Sequence, residues 1–175
     1  QLFKTSKFSH IRFVDTNIIG TEDCWYQILL YENCQRFVYI DRPFYHYLRI
    51  NESSLTTKYN PYLFARWQRM YDYMEKYIVE HNKGEDYAKA IKNRIALSVL
   101  GAGINQTHSD DNLIEGSKHI KEMLQSERYK DALSQLDVSV MPFAWKSFFF
   151  LAKHQHTLLL FGMLKFIEYL RTHKK

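Results

Sequence analysis

From Asn60 to the end, apolar positions recur every three or four residues between short polar breaks, the pattern of successive amphipathic helices. Asn60-Pro61 opens the first, with Asn as the cap and Pro at the first helical position, where a missing N–H costs nothing. Leu63, Trp67, Met70, Met74, Tyr77 and Ile78 then follow on one face to about residue 81, and Asn82-Lys83-Gly84 stops the run. The same spacing predicts helices over 85–102 (Ala88, Ile91, Ile95, Val99 inward), 111–124 (Leu113, Ile120, Leu124 inward), 127–136, 142–153 and 156–171.

Before Asn60 the pattern is shorter and mixed. Residues 2–9 suit a short helix and 11–14 a short strand or extended segment. Gly20 breaks the chain, Thr21 suits an N-cap, and a helix over 22–33 follows with Cys24, Ile28 and Tyr31 on one face. Residues 36–40 form a β-rich run, Asp41-Arg42-Pro43 a turn, 44–50 a second strand and 51–59 a polar loop. The expected architecture is mostly α: a short α/β segment over 1–59, then an all-helical extension over 60–175.

At 46% hydrophobic and 25% charged, the composition is that of a folded chain and excludes disorder. The abundant aromatic side chains read first as core filling. Cys24 and Cys34 are too few for a disulfide framework and lie at opposite ends of one expected helix, so they read as reduced thiols of a cytoplasmic protein. Two glycosylation sequons, at Asn51 and Asn105, read as chance in that setting. The first residue is Gln and no targeting pattern precedes it, which reads as a chain beginning inside a longer protein.

Charge is distributed unevenly. Acidic and basic side chains cancel up to residue 140, so the net +5 comes from Lys146, Lys153, Lys165, Arg171, Lys174 and Lys175 against Glu168 alone. A basic, aromatic helical end suits an anionic membrane surface at the inner leaflet, or a homodimer contact, and carries no nucleic-acid motif. No apolar stretch there approaches the roughly 20 residues of a membrane span. His154 and His156 have no third ligand nearby and do not read as a metal site.

Two constellations carry chemistry. In Gly20-Thr21-Glu22-Asp23, two carboxylates sit in a first helical turn, where free N–H groups and the helix dipole favour their ionised form. Such a group can orient a hydroxyl and accept its proton as a bond forms; equally, acidic residues in a first turn simply stabilise a helix. The second is Tyr45-His46-Tyr47 with Arg49, followed by a loop holding Ser54: an imidazole able to bind a cation or a phosphate, and a guanidinium suited to phosphate. Asp110-Asp111 reads as helix capping.

Gly20, Glu22, Asp23, Leu29, Leu30, Tyr39, Ile40, Pro43, Tyr45, His46, Tyr47, Arg49, Ser54 and Thr56, in that order, resemble family 2 glycosyltransferases of the GT-A fold, particularly bacterial enzymes of surface-polysaccharide synthesis. The resemblance covers about residues 1–60. It implies sugar transfer from a nucleotide-sugar donor to a hydroxyl of a glycan or lipid-linked acceptor, with inversion. It further implies Asp23 as catalytic base, Glu22 holding the acceptor, His46 near the donor diphosphate and its metal, and Arg49 and Ser54 on the loop that closes over the diphosphate. Leu48 stands between Tyr47 and Arg49, a departure from the family's His-Tyr-Arg run. The family's nucleotide-binding half, with the carboxylates for Mg²⁺ or Mn²⁺, has no counterpart in these residues, so the isolated chain is expected to be inactive. The rival expectation is a non-catalytic helical interaction or membrane-docking module built on residues 60–175.

Overall fold

The computed structural model describes residues 5–45 and 58–173. Its helices are α1 (Thr5–Phe8), α2 (Thr16–Ile19), α3 (Glu22–Glu32), α4 (Leu63–Glu80), α5 (Glu85–Thr107), α6 (Leu113–Gln125), α7 (Glu127–Gln135), α8 (Phe143–Lys153) and α9 (Thr157–His173). The fold is mostly helical, and among the described residues there is no strand. None of these helices is long and apolar enough to cross a membrane.

The long α5 is the axis. Its buried Ile95, Ala96, Val99, Ala102 and Ile104 look in several directions, because α4, α6, α7 and α9 all pack on it. That explains why its apolar pattern is not one-sided: a helix surrounded by neighbours needs no polar face along its buried half. It also runs five residues beyond the expected end. Helix α9 lies against both α5 and α6, placing Leu160, Phe161 and Leu164 in the centre of the core with no exposed surface. The approach of α9 to α6 depends on Gly116, since a Cβ there would stand 2.2 Å from the Phe161 ring.

Polar contacts register the helices. Arg128 on α7 reaches Asp72 (2.6 Å) and Glu75 (2.8 Å) on α4. The Tyr129 hydroxyl meets Ser98 Oγ on α5 at 2.8 Å, and burial pushes the phenols of Tyr129 and Tyr71 well above their ordinary range, keeping them neutral.

Several boundaries differ from the sequence reading for identifiable reasons. Asn60 does accept the Tyr62 N–H through its side chain (3.0 Å), but this closes a turn, and α4 begins at Leu63. Asn112, not Asp110 or Asp111, caps α6, in a reciprocal capping box with Glu115. Leu113 is consequently exposed at the first helical position instead of facing inward. On α3 the buried face runs through Trp25 and Leu30, while Tyr31 is exposed.

The strands expected over 11–14 and 36–40 are not formed. Residues 11–14 have no regular secondary structure between α1 and α2, and Ile11 instead joins Phe8 and Leu30 in a small separate core that also takes in Cys34. Residues 36–40 have no regular secondary structure either, with Phe37, Val38 and Tyr39 between 70% and 78% exposed. A strand is stable only when its backbone N–H and C=O groups find a ladder partner, and no described residue supplies one. The segment expected as the second strand, 44–50, lies mostly outside the described residues.

Candidate functional site

The acidic turn is held by what precedes it. Asp15 caps α2 by accepting the Asn17 N–H at 2.7 Å, and α2 ends at Gly20 with φ of +65°, a left-handed conformation that favours glycine. The Arg66 side chain of α4 packs over Gly20 so closely that a Cβ would lie 2.9 Å from it. Arg69, also on α4, donates to the Ile18 carbonyl at 2.6 Å. The chain therefore enters α3 at a fixed place on α4.

Thr21 occupies the N-cap position of α3, but its hydroxyl makes no capping bond and donates instead to the Met70 sulfur on α4. Asp23 Oδ1 accepts from the Cys24 N–H at 2.7 Å, an amide that also donates to the Thr21 carbonyl at 3.0 Å. Glu22 is half-buried and Asp23 is exposed. The second Asp23 oxygen has no intramolecular partner among the described residues. Next to the pair, burial pushes the Cys24 thiol up, partly offset by the Arg94 guanidinium and reinforced by Asp23. Cys24 is thus a protonated, poorly nucleophilic thiol. Cys24 and Cys34 are both free.

One turn beyond Glu22, a cleft of about 270 Å³ opens between α3, α4 and α5. Trp25, Tyr31, Tyr77 and Tyr87 wall it, and Ile28 and Ile91 line its base. Trp25 and Tyr77 meet edge to face with centroids 5.5 Å apart, which sets the tilt of the indole. At one end Glu32 forms an ion pair with Lys83 and accepts from the Tyr87 hydroxyl at 2.8 Å. Those two bonds hold the Glu32 carboxyl below its usual range, while Glu32 in turn raises Lys83 and Tyr87. Arg94 also lines the cleft and makes no hydrogen bond or ion pair among the described residues. Its charge nonetheless acts on Cys24, the residue after Asp23.

Of the residues singled out from sequence, Glu22 and Asp23 open α3, the helix that carries Trp25 and Ile28 into this cleft, but neither lines it. His46, Arg49 and Ser54 lie outside the described residues; Tyr45, just before them, is exposed. Among the described residues no three His, Cys, Asp or Glu side chains gather to hold a metal. Asp111 is occupied structurally: it accepts from Gln106 at 2.6 Å.

Sequence reasoning missed Trp25, Glu32, Tyr87 and Arg94. Their convergence depends on the crossing of three helices, and nothing in their spacing announces it; only Trp25, three residues after Glu22, shared a helix face with a residue already under suspicion.

No protein-family model, curated protein or solved structure matches this chain.

Proposed function

We propose that this chain is the acceptor-side portion of a family 2, GT-A-type glycosyltransferase that builds a cell-surface polysaccharide. The observation that carries the reading is the acidic pair Glu22-Asp23 at the start of α3, with Asp23 exposed, fixed on α4 through Gly20 and Thr21, on the helix that also contributes to a cleft walled by four aromatic rings. Aromatic faces suit the C–H faces of a pyranose, and Arg94 and Glu32 supply donors and an acceptor for its hydroxyls.

In this reading an acceptor sugar offers one hydroxyl to Asp23 at the exposed start of α3. The Oδ1–Cys24 bond orients the carboxylate, and the second oxygen receives the hydroxyl proton as the acceptor oxygen bonds to the anomeric carbon of the donor. The bond from that carbon to the diphosphate breaks on the opposite face, and the nucleoside diphosphate leaves with inversion. Glu22 holds the acceptor. His46, Arg49 and Ser54 are assigned to the donor diphosphate on the resemblance alone, and Mg²⁺ or Mn²⁺ in the complete enzyme would neutralise the leaving group.

Asp23→Asn in the full-length protein tests the assignment. Transfer is expected to fall by at least about 10²-fold, the contribution of a positioned general base, with nucleotide-sugar binding retained. Wild-type turnover in that variant would sink it.

A second reading, a non-catalytic helical module, is favoured by the apolar surface that α8 and α9 present away from the core. Loss of transfer in Asp23→Asn separates the two, since an interaction module has no turnover to lose.

A further inference from the structure

Helices α8 and α9 each carry two apolar faces where one would suffice. The inner face of α8 is Phe148, Phe149 and Ala152; its outer face carries Phe143 (83% exposed) and Phe150, seven residues apart and therefore stacked on one side. On α9 the inner face is Leu160, Phe161 and Leu164, while Leu159 (64% exposed), Phe166 (60% exposed), Tyr169 and Leu170 line the outer side. A helix apolar on both sides is ordinarily covered on both.

The charges around these faces indicate what covers them. The one acid of the two helices, Glu168, turns inward to His108 (2.9 Å) and Arg171 (2.7 Å). The exposed charges on the two sides of the α8 outer face are the cations Lys146 and Lys153, with the carboxylate of Asp137, in the loop before α8, near Lys146. At the corner between the helices, the His154 and His156 rings lie 4.4 Å and 6.2 Å from the Phe150 ring. Phe150 thus sits at the corner where α8 gives way to α9. There an apolar groove of about 660 Å³ opens between α7 and α8, lined by Leu133, Val138 and Phe149, with Lys146, Lys153 and His154 also on its walls.

We propose that the outer face of the α8–α9 hairpin is a docking surface for a membrane rich in anionic phospholipid. Phe143, Phe150, Leu159 and Phe166 enter the acyl boundary, the groove takes up hydrocarbon, and Lys146 and Lys153 pair with lipid phosphates. A second copy of the chain fits less well, because two such faces bring cations together while the nearby Asp137 already interacts with Lys146 of its own chain. The surface lies outside the α3 cleft, so its assignment stands or falls separately from the transferase reading.

The test is co-sedimentation of the whole chain with vesicles of phosphatidylcholine, with and without phosphatidylglycerol. Binding is expected to the anionic vesicles, to weaken with added salt, and to drop about tenfold or more in Phe166→Glu or Phe150→Glu, each of which loses one inserted ring. Lys146→Gln and Lys153→Gln should each weaken anionic binding about fivefold. Val79→Glu, on the outer side of α4, should change nothing, and circular dichroism checks that every variant is folded. Absence of vesicle binding overturns the proposal, as does equal binding to neutral vesicles. So does a wild-type dimer by light scattering that Phe166→Glu converts to monomer.

Discussion

The α4–α9 bundle and the segment of residues 5–45 are held together by different physics. In the bundle, apolar faces interdigitate around α5, and its most central side chains have no exposed surface. The earlier segment has its own small core of Phe8, Ile11 and Leu30, and otherwise docks on α4 and α5 through Ile19, Trp25 and a few polar contacts from Arg69 and Lys83. The residues proposed for chemistry sit on this weakly anchored segment, supported from behind by the rigid bundle. Catalytic groups are commonly carried in this way, because positioning needs a firm scaffold while the reacting end must stay accessible.

The hardest way to break the difference is to attack the bundle. Phe161→Ala removes a fully buried ring that Gly116 accommodates and should cost about 3–5 kcal/mol of global stability. That is a large fraction of the roughly 5–15 kcal/mol typical of a whole domain. A urea midpoint close to wild type would mean that α9 is not integral to the core.

Ile19→Ala should act on the other region. Ile19 is fully buried where α2 meets the bundle, so its loss should cost about 2–4 kcal/mol, spent chiefly on undocking α2 and α3. Hydrogen exchange reads the distinction: amides of α3 should lose protection while those of α5 keep theirs. Equal losses in both would make the two regions one cooperative unit.

How far the sequence is legible follows the same division. Helices α4 to α9 are readable because each has a periodic inner face and polar stops, such as Asn82-Lys83-Gly84. The end of α5 is not, because Gly101 and Gly103 resemble breakers but lie inside the helix, where Trp67 and Leu164 come close. Phe37-Val38-Tyr39-Ile40 has strand composition, yet β structure is a property of a pair of strands, and composition does not reveal whether a partner is present. Glu22 and Asp23 are legible as a first helical turn. The cleft is not, since Trp25, Tyr77, Tyr87 and Arg94 come from three helices and meet only through their packing.

The subtlest expected effect concerns Glu32, the link between α3 and the turn before α5. Its carboxyl is held below the unfolded range by bonds from Lys83 and Tyr87, so its contribution to docking is present above the unfolded carboxylate pKa of about 4.3 and is lost as pH falls through the folded value. Lys83 is shifted upward by the same carboxylate, so its share is complete below the unfolded lysine pKa of about 10.4 and disappears only as pH rises through the folded value. Both contributions are therefore in place at neutral pH, and only the acid side is readily reached. Bundle carboxylates such as Asp131, lowered by Lys92, titrate there as well, so a bare acid profile mixes the two regions. The difference between wild type and Glu32→Gln separates them. Between about pH 6 and pH 3, α3 protection in the wild type should fall toward that of Glu32→Gln, and the α5 amides of the two proteins should stay together throughout. A constant gap in α3 would show that Glu32 acts through its shape and hydrogen bonding rather than its charge.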